Sequence, residues 1–158
     1  MDEDAFRAFY DRTAGALWGY LSRVSGDRQV ADDLLQESYY RLLKSTAVFE
    51  SESHRRNYLY RIATNLVRDS KRGAKPLFDE AVEMGDIAAP QPHVDTERRT
   101  DVRRAMGRLK PRERALLWLA YAQGSSHAEI ADVLGLKTGS IKLLLFRARR
   151  KLAAILQA

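Results

Sequence analysis

The residues best suited to chemistry lie in the last third of the chain, where basic side chains follow the signals for two short helices. Ser126 precedes Glu129 by three residues, a spacing that allows a capping box at a helix N-terminus. Gly135 can adopt the left-handed conformation that ends a helix, and Thr138 then opens a second helix. This order of signals predicts a helix-turn-helix, and an exposed basic second helix is the element that enters a DNA major groove.

The second helix of this unit has a core side and an outward side. Apolar residues at helical spacing should face a core, and they are Ile141, Leu145, Ala148 and Leu152. The positions that this pattern leaves outward are Lys142, Leu143, Phe146, Arg147 and Arg149. Leu144 can fold under the helix as a core residue, whereas Leu143 and Phe146 should be exposed.

A second line of polar and basic residues lies on a helix predicted from about His54 to Arg72. It stands opposite an apolar stripe, at helical spacing, and consists of Arg61, Asn65, Arg68 and Arg72. Three cations and an amide in one line suit phosphates and bases. Tyr58 and Tyr60 begin this helix and can stack on unpaired bases, or else serve as core residues.

The remaining elements are helical as well. An apolar face runs from Phe6 to Val24, Gly26 ends that helix, and Asp27 can cap a helix from Arg28 to about Lys44. Further helices are predicted from Arg98 to Leu109 and from Pro111 to Gln123. No segment shows strand periodicity.

Proline and acidic residues separate two lobes. Residues 76–97 hold three of the four prolines, six acidic residues and no Lys or Arg, which is typical of a linker. We therefore predict an all-α protein with two small helical domains, 1–75 and 98–158, joined by a flexible acidic linker at 76–97. The C-terminal domain is the helix-turn-helix, and the lobes are expected to be positioned mainly by what they bind.

The composition excludes several classes of protein. The chain has no cysteine and three scattered histidines, which removes disulfides, thiolate catalysis and a structural zinc site. It has no glycine-rich phosphate loop or nucleophile elbow, so we expect neither catalysis nor a cofactor. A net charge of +6 favours a polyanionic partner. An acidic start and the lack of any long apolar run predict a cytoplasmic protein without membrane insertion.

The predicted second helix, Arg28 to Lys44, carries a polar face. Its inward residues are predicted to be Ala31, Leu35, Ser38, Leu42 and Leu43. The opposite face carries Asp33, Gln36, Glu37, Tyr40 and Lys44. On composition alone, this face is either an ordinary solvated surface or a site for a protein partner.

Together these motifs closely resemble the extracytoplasmic-function (ECF) sigma factors of bacteria. The segments similar to conserved region 2 are Gly26-Asp27, residues 31–37 (ADDLLQE) and residues 58–66 (YLYRIATNL). Those similar to region 4 are residues 109–114 (LKPRER), Glu129-Ile130-Ala131, Leu134-Gly135, Ile141-Lys142 and Arg147-Ala148-Arg149. The resemblance covers almost the whole chain outside the linker.

This resemblance implies a promoter-specificity subunit that acts near the nucleoid, is not itself an enzyme, and binds core RNA polymerase through the β′ clamp helices and the β flap. The core-binding residues would be Asp33, Leu34, Gln36 and Glu37. The minus-ten element would be bound by Tyr58, Arg61, Asn65, Arg68 and Arg72, with a flipped base held by the loop at about Ser45 to Ser53. The minus-thirty-five element would be bound by Thr138, Ser140, Lys142, Leu143, Phe146, Arg147 and Arg149. An anti-sigma factor is a further partner that many members of the family have.

Two departures from the family pattern leave alternatives open. Many members carry Ser-Arg and then His where this chain has Leu143, Leu144 and Phe146, and Tyr58 replaces the usual tryptophan. Exposed apolar side chains can meet thymine methyl groups or bind a protein. The alternatives are a helix-turn-helix regulator that works without polymerase, and a degenerate sigma-like interaction protein.

Overall fold

Every element of the described fold is helical. The computed structural model describes residues 1–70 and 97–157, with the side chains of 97–100 left undescribed. The α-helices in these ranges are α1 (Glu3–Ser25), α2 (Arg28–Lys44), α3 (Glu52–Ser70), α4 (Glu97–Gly107), α5 (Pro111–Leu117), α6 (His127–Leu134) and α7 (Thr138–Gln157). These ranges contain no strand, which confirms the predicted all-α class.

Local capping sets the ends of several helices. The Asp27 carboxylate accepts hydrogen bonds from the first backbone amides of α2, the nearer at 2.8 Å. Ser126 and Glu129 form the predicted capping box, with Ser126 Oγ accepting from the Glu129 amide at 3.1 Å and Glu129 Oε1 accepting from the Ser126 amide at 2.8 Å. Gly135 ends α6 with φ at +68°, a conformation that side chains with a Cβ rarely adopt. The helix-turn-helix prediction is confirmed.

The first lobe is a three-helix unit of α1, α2 and α3. Its core contains the apolar faces predicted for α1 and α3, represented by Phe9, Leu17 and Leu59, all fully buried. In α2 one inward assignment is wrong, because Leu43 is half exposed and Tyr39 is buried in the core instead. Tyr39 packs against the aromatic side chains of α1, and its larger ring fills the space between the two helices.

The second lobe, α4 to α7, departs from the prediction at one point. The sequence predicted a single helix from Pro111 to Gln123, but α5 ends at Leu117 and continues as a π turn over Trp118–Ala122. The Gln123 amide donates to the Trp118 carbonyl at 3.0 Å, a five-residue closure that shifts the following side chains around the helix axis. Gly124, with φ at +71°, then ends the element as expected.

The two lobes pack directly against each other, with α1 on α5 and α3 on α6. Buried residues of both lobes belong to one continuous hydrophobic core. Trp118 lies against Gly19 of α1, so closely that a Cβ placed at Gly19 would be 2.9 Å from the Trp118 ring. The buried Arg114 guanidinium donates to the carbonyl of Arg23 at 2.8 Å and also to that of Leu109. The lobes are therefore positioned by each other in this state, and not mainly by an external partner as predicted.

Parts of the prediction lie outside the described residues. These are Arg72 and the linker, of which only Glu97 is described, as the first residue of α4. In the portions that are described, no helix combines the length and the apolarity that crossing a bilayer requires.

Candidate DNA-binding and protein-binding surfaces

The outward side of α7 is basic around an apolar centre. Ile141, Leu145 and Ala148 are buried, as predicted, and they hold the helix against its lobe. Leu143 is 49% exposed and Phe146 is 46% exposed, which confirms that both point away from the core. The other predicted DNA contacts on this helix are exposed or half-buried, namely Thr138, Ser140, Lys142, Arg147 and Arg149.

Two arginines of α7 are held by aromatic neighbours. The Arg150 guanidinium lies 5.7 Å from the centroid of the Phe146 ring, one turn along the same face. Arg149 Nη1 donates to the Tyr121 hydroxyl at 2.7 Å. Tyr121 belongs to the π turn and is itself exposed, so the unpredicted π turn helps to orient a predicted DNA contact.

Lys151 belongs to the structural side of α7. Its ammonium lies 3.0 Å from Glu113 Oε1, and Glu113 also caps the start of α5 by accepting from the Lys110 amide at 2.8 Å. This contact anchors α7 to α5 and sets Lys151 apart from the outward cations of the helix, Lys142 and the arginines.

The polar line on α3 also forms one surface. Arg61 and Asn65 are exposed and Arg68 is half-buried, opposite the buried Leu59, Ala63 and Val67. We call Arg61, Asn65 and Arg68 the α3 stripe. It faces the helix-turn-helix, because the same three residues line a cleft of about 480 Å³ together with residues of α6 and the start of α7.

Helix α6 supplies the direct partners of the α3 stripe. Arg61 Nη1 lies 3.5 Å from Asp132 Oδ1, and Asn57 Nδ2 donates to Asp132 Oδ2 at 3.3 Å. The Arg68 guanidinium donates to the Leu134 carbonyl at the C-terminal end of α6, an end that attracts cations. Sequence reasoning did not identify Asp132, because one acidic residue on a short helix carries no signal of a partner so far away in the chain.

The aromatic residues at the start of α3 have different environments. Tyr60 is almost fully buried, its hydroxyl donates to Gln123 Oε1 at 2.8 Å, and burial raises the pKa of that hydroxyl. It is a core residue and is unavailable for base stacking. Tyr58 is half-buried beside Phe49, with ring centroids 5.2 Å apart, next to a loop in which Val48 is 87% exposed.

The polar face of α2 points to solvent. Asp33 and Gln36 are exposed, and Glu37 is paired with Arg41 at 2.9 Å. Tyr40 is 55% exposed, with the Lys44 ammonium 5.1 Å from its ring centroid. Leu34, the fourth residue predicted to bind a protein, is half-buried at the edge of this face. We call Asp33, Gln36, Glu37 and Tyr40 the α2 face.

The fold and these surfaces define a helical protein that carries a helix-turn-helix with a basic outer side and, on another helix, a separate polar face. Residues 9–76 match the family model for Sigma-70 region 2, and residues 99–152 match that for Sigma-70 region 4. The ECF RNA polymerase sigma factor SigL of Mycobacterium tuberculosis is 32% identical, over 96% of this chain and 88% of its own. The ECF RNA polymerase sigma factor EcfG of Rhodopseudomonas palustris is 31% identical, over 89% of this chain and 79% of its own.

Comparison with a solved structure supports the same fold. The sigma factor RpoE of Bartonella quintana, crystallised with the anti-sigma factor NepR, superposes with a TM-score of 0.74 at 22% identity, covering 98% of both chains. The chain belongs to the ECF sigma factors of the sigma-70 family. It is a subunit that binds RNA polymerase and confers promoter specificity, and the family matches do not favour a regulator that acts without polymerase.

Proposed function

We propose that this sigma factor uses three separate surfaces to bring core RNA polymerase to a promoter and to open the duplex there. The observation that carries the proposal is that one chain presents a polar face on α2, a cationic stripe on α3 and a basic recognition helix, α7. The polar face suits a protein partner, and the cationic stripe and the basic helix α7 suit DNA. Catalysis of RNA synthesis belongs to the core enzyme, and the chain acts in the cytoplasm on the nucleoid.

The α2 face is the proposed contact with the β′ clamp helices. Asp33, Gln36 and Tyr40 are exposed and Glu37 is half-buried, and all four lie on one side of a regular helix with Leu34 as an apolar neighbour. Such a mixture of exposed polar groups, an aromatic ring and a partly covered aliphatic side chain is typical of a protein interface. The β flap is the proposed partner of the second lobe.

The α3 stripe, extended by Arg72 and with Tyr58 at its start, is the proposed contact with the minus-ten element. Guanidinium groups bind phosphates, and the amide of Asn65 can read a base edge. Opening the duplex costs a few kcal/mol per unstacked base, which phosphate contacts and a pocket for a flipped base can offset. The loop before α3, with Val48 exposed and Phe49 packed on Tyr58, is the proposed pocket.

Helix α7 is the proposed reader of the minus-thirty-five element. Its outward cations would hold the phosphates, and Leu143 and Phe146 would lie in the major groove against thymine methyl groups, the apolar feature of that groove. Arg150 joins the predicted contacts because it stacks on Phe146 at the outer face.

A transcription assay tests the proposed function directly. The purified chain is added to sigma-free bacterial core polymerase with a randomised promoter library, and the templates that yield transcripts are sequenced. We expect a narrow set that shares two spaced elements. Core binding in the same tube without transcripts would contradict the proposal, and palindromic protection of DNA without polymerase would point to a stand-alone regulator.

A further inference from the structure

We propose that Tyr121 of the π turn is a further DNA contact, and that it binds one backbone phosphate together with Arg149 of α7. Tyr121 lies outside α7 and was not among the residues that the sequence predicted to bind DNA. The inference rests on the proposed function of α7 as the reader of the minus-thirty-five element. It adds a residue from a second element to that surface.

The hydrogen bond between the two side chains fixes which group donates. A guanidinium carries only N–H donors, so Arg149 Nη1 donates at 2.7 Å and the Tyr121 oxygen accepts. The phenol therefore keeps its own proton for a different acceptor. Because a hydroxyl that accepts from a cation is polarised by it, Tyr121 becomes a stronger donor toward that acceptor.

Both side chains are open to an outside ligand. Tyr121 is 61% exposed, and Arg149 is exposed as well. The pair presents the phenol O–H and the remaining guanidinium N–H groups side by side at the surface. Two adjacent donors, one of them charged, match two oxygens of one phosphate.

The charge around the pair favours an anion. Helix α7 holds five Lys or Arg residues and no Asp or Glu, and residues 115–128 hold no acidic residue either. The Glu113 carboxylate, at the start of α5, is paired with Lys151, with 3.0 Å between Oε1 and Nζ. A phosphate at the pair therefore has cations of α7 on one side and a neutral segment on the other.

The π turn accounts for the position of Tyr121. The Gln123 amide donates to the Trp118 carbonyl, one residue further back than in an α-helix, so the side chains of this turn are rotated about the helix axis. Leu119 remains fully buried while Tyr121 reaches Arg149. Single π turns within helices recur at functional sites, and this one brings a hydroxyl to the recognition helix.

A phosphate is the expected ligand, and not a base, because of where Tyr121 lies in the chain. In a helix-turn-helix the recognition helix enters the major groove, and the elements beside it meet the DNA backbone. Tyr121 precedes α6 and contacts α7 through Arg149, so its hydroxyl borders the groove and does not enter it. The pair then fixes the position of α7 on the duplex and carries no base preference of its own.

A scan of neutralised phosphates tests the pair. Holoenzyme is assembled from core polymerase and the full-length chain, and its affinity for duplexes with the selected minus-thirty-five element is measured by anisotropy. In each duplex one backbone phosphate is replaced by an uncharged methylphosphonate. The scan is run with the wild type, Tyr121→Phe, Arg149→Ala and the double variant. Tyr121→Phe removes one exposed oxygen and keeps the ring, so the fold should be retained.

We expect Tyr121→Phe to weaken binding to the unmodified duplex by about three- to tenfold, the effect of one lost hydrogen bond. The dependence of affinity on salt should not change, because no cation is removed, whereas Arg149→Ala should lower its slope by about one ion. One methylphosphonate should weaken wild-type binding by about tenfold or more. At that same position the loss should shrink in each single variant and fall to within about twofold in the double variant.

Two control variants separate this site from its neighbours. Tyr10→Phe removes the hydroxyl of another exposed tyrosine, in α1, and should match the wild type within about twofold. Lys142→Ala removes a different cation of α7. It should weaken binding but keep the full effect of the methylphosphonate at the position assigned to the pair.

Wild-type affinity in Tyr121→Phe would overturn the inference. A salt slope that falls by one ion in Tyr121→Phe would also overturn it, since Tyr121 would then act only by holding Arg149. Loss of sensitivity at different phosphates in the two single variants would show separate contacts and no pair. Failure of the proposed function is distinguishable, because wild-type holoenzyme would then bind the selected element no more tightly than a scrambled one.

Discussion

Leu143 and Phe146 are the residues at which this chain departs most clearly from what a basic recognition helix requires. Both are about half exposed, and cations flank them on the same helix. An exposed phenyl ring costs free energy in water unless it is buried in a complex. The arginine that stacks on Phe146 partly covers the ring and adds a charge next to it.

Thymine methyl groups are the proposed partners of these two side chains, and their removal is a direct test. Replacing thymine by deoxyuridine in the selected minus-thirty-five element should weaken holoenzyme binding by about fourfold per contacted methyl group, because one buried methylene-sized group is worth about 0.8 kcal/mol. The measurement is a binding titration on both duplexes.

Variants assign the effect to the two residues. Leu143→Ala with Phe146→Ala should bind the two duplexes equally, whereas Lys142→Ala should weaken both and preserve the ratio. Equal binding of both duplexes by the wild type would exclude recognition of the methyl groups.

At the scale of single elements, helix α2 has one buried side and one exposed side along its whole length. Ala31, Ser38 and Leu42 are buried against α1 and α3. Because Asp33 and Gln36 are exposed, they can be changed with little loss of stability.

Replacing Asp33 and Gln36 together by alanine should weaken binding to core polymerase by about tenfold or more, the effect expected when central interface residues are truncated. Binding of the free chain to single-stranded DNA should not change. A competition pull-down against the wild type measures the first quantity, with Gln29→Ala, exposed at the start of the same helix, as the control. Undiminished core affinity in the double variant would remove the α2 face from the interface.

The helices also show how much of the fold can be predicted from the sequence alone. The ends of α2, α6 and α7 follow from local chemistry, as with Asp27 and Gly135, whose capping roles need only neighbouring residues. The π turn was missed because its five-residue closure leaves no pattern in the apolar spacing of Leu116 to Leu119. Leu43 was misassigned because helical spacing alone places it beside Leu42, and only the fit of the Tyr39 ring decides which side of α2 is buried.

For the whole molecule, the important feature that the sequence did not reveal is the contact between lobes. Gly19 and Trp118 are far apart in the chain, and neither residue type predicts the other. The sequence placed the three residues of the α3 stripe correctly on one line, but it gave no sign that α6 lies on them. Such contacts depend on how two complete surfaces fit together. The periodicity of apolar residues along the sequence carries no information about that fit.

The core of the whole molecule predicts its behaviour at high pH. Burial raises the pKa of Tyr39 to about 12 and also raises those of Tyr20 and Tyr60, while burial lowers the pKa of Arg114 to about 10. Above pH 10 the unfolded chain loses its tyrosine protons first, so the three tyrosines reduce stability as the pH rises. Arg114 has the opposite effect in that range, because its lowered pKa makes the free energy of unfolding rise with pH. The contribution of one arginine does not offset that of three tyrosines.

We therefore expect the free energy of unfolding, measured by urea titration, to fall between about pH 10 and pH 12. Tyr39→Phe should flatten that fall by up to about 1.4 kcal/mol per pH unit, since one titrating proton is removed. Tyr40→Phe, at an exposed position on the same helix, is the control and should leave the slope unchanged. An equal slope in Tyr39→Phe and the wild type would contradict the assignment.

Because the Trp118 ring packs on Gly19 at the contact between the lobes, the intrinsic fluorescence of Trp118 reports on that contact. Only two tryptophans are present, and Trp18 is engaged within the first lobe, where its indole donates to Asp32 at 2.7 Å. In a Trp18→Phe background, any change that exposes the Trp118 ring to water should shift its emission to the red and make it accessible to quenchers. A stopped-flow instrument could then record, with no label attached, whether the contact between the lobes changes as polymerase binds the protein.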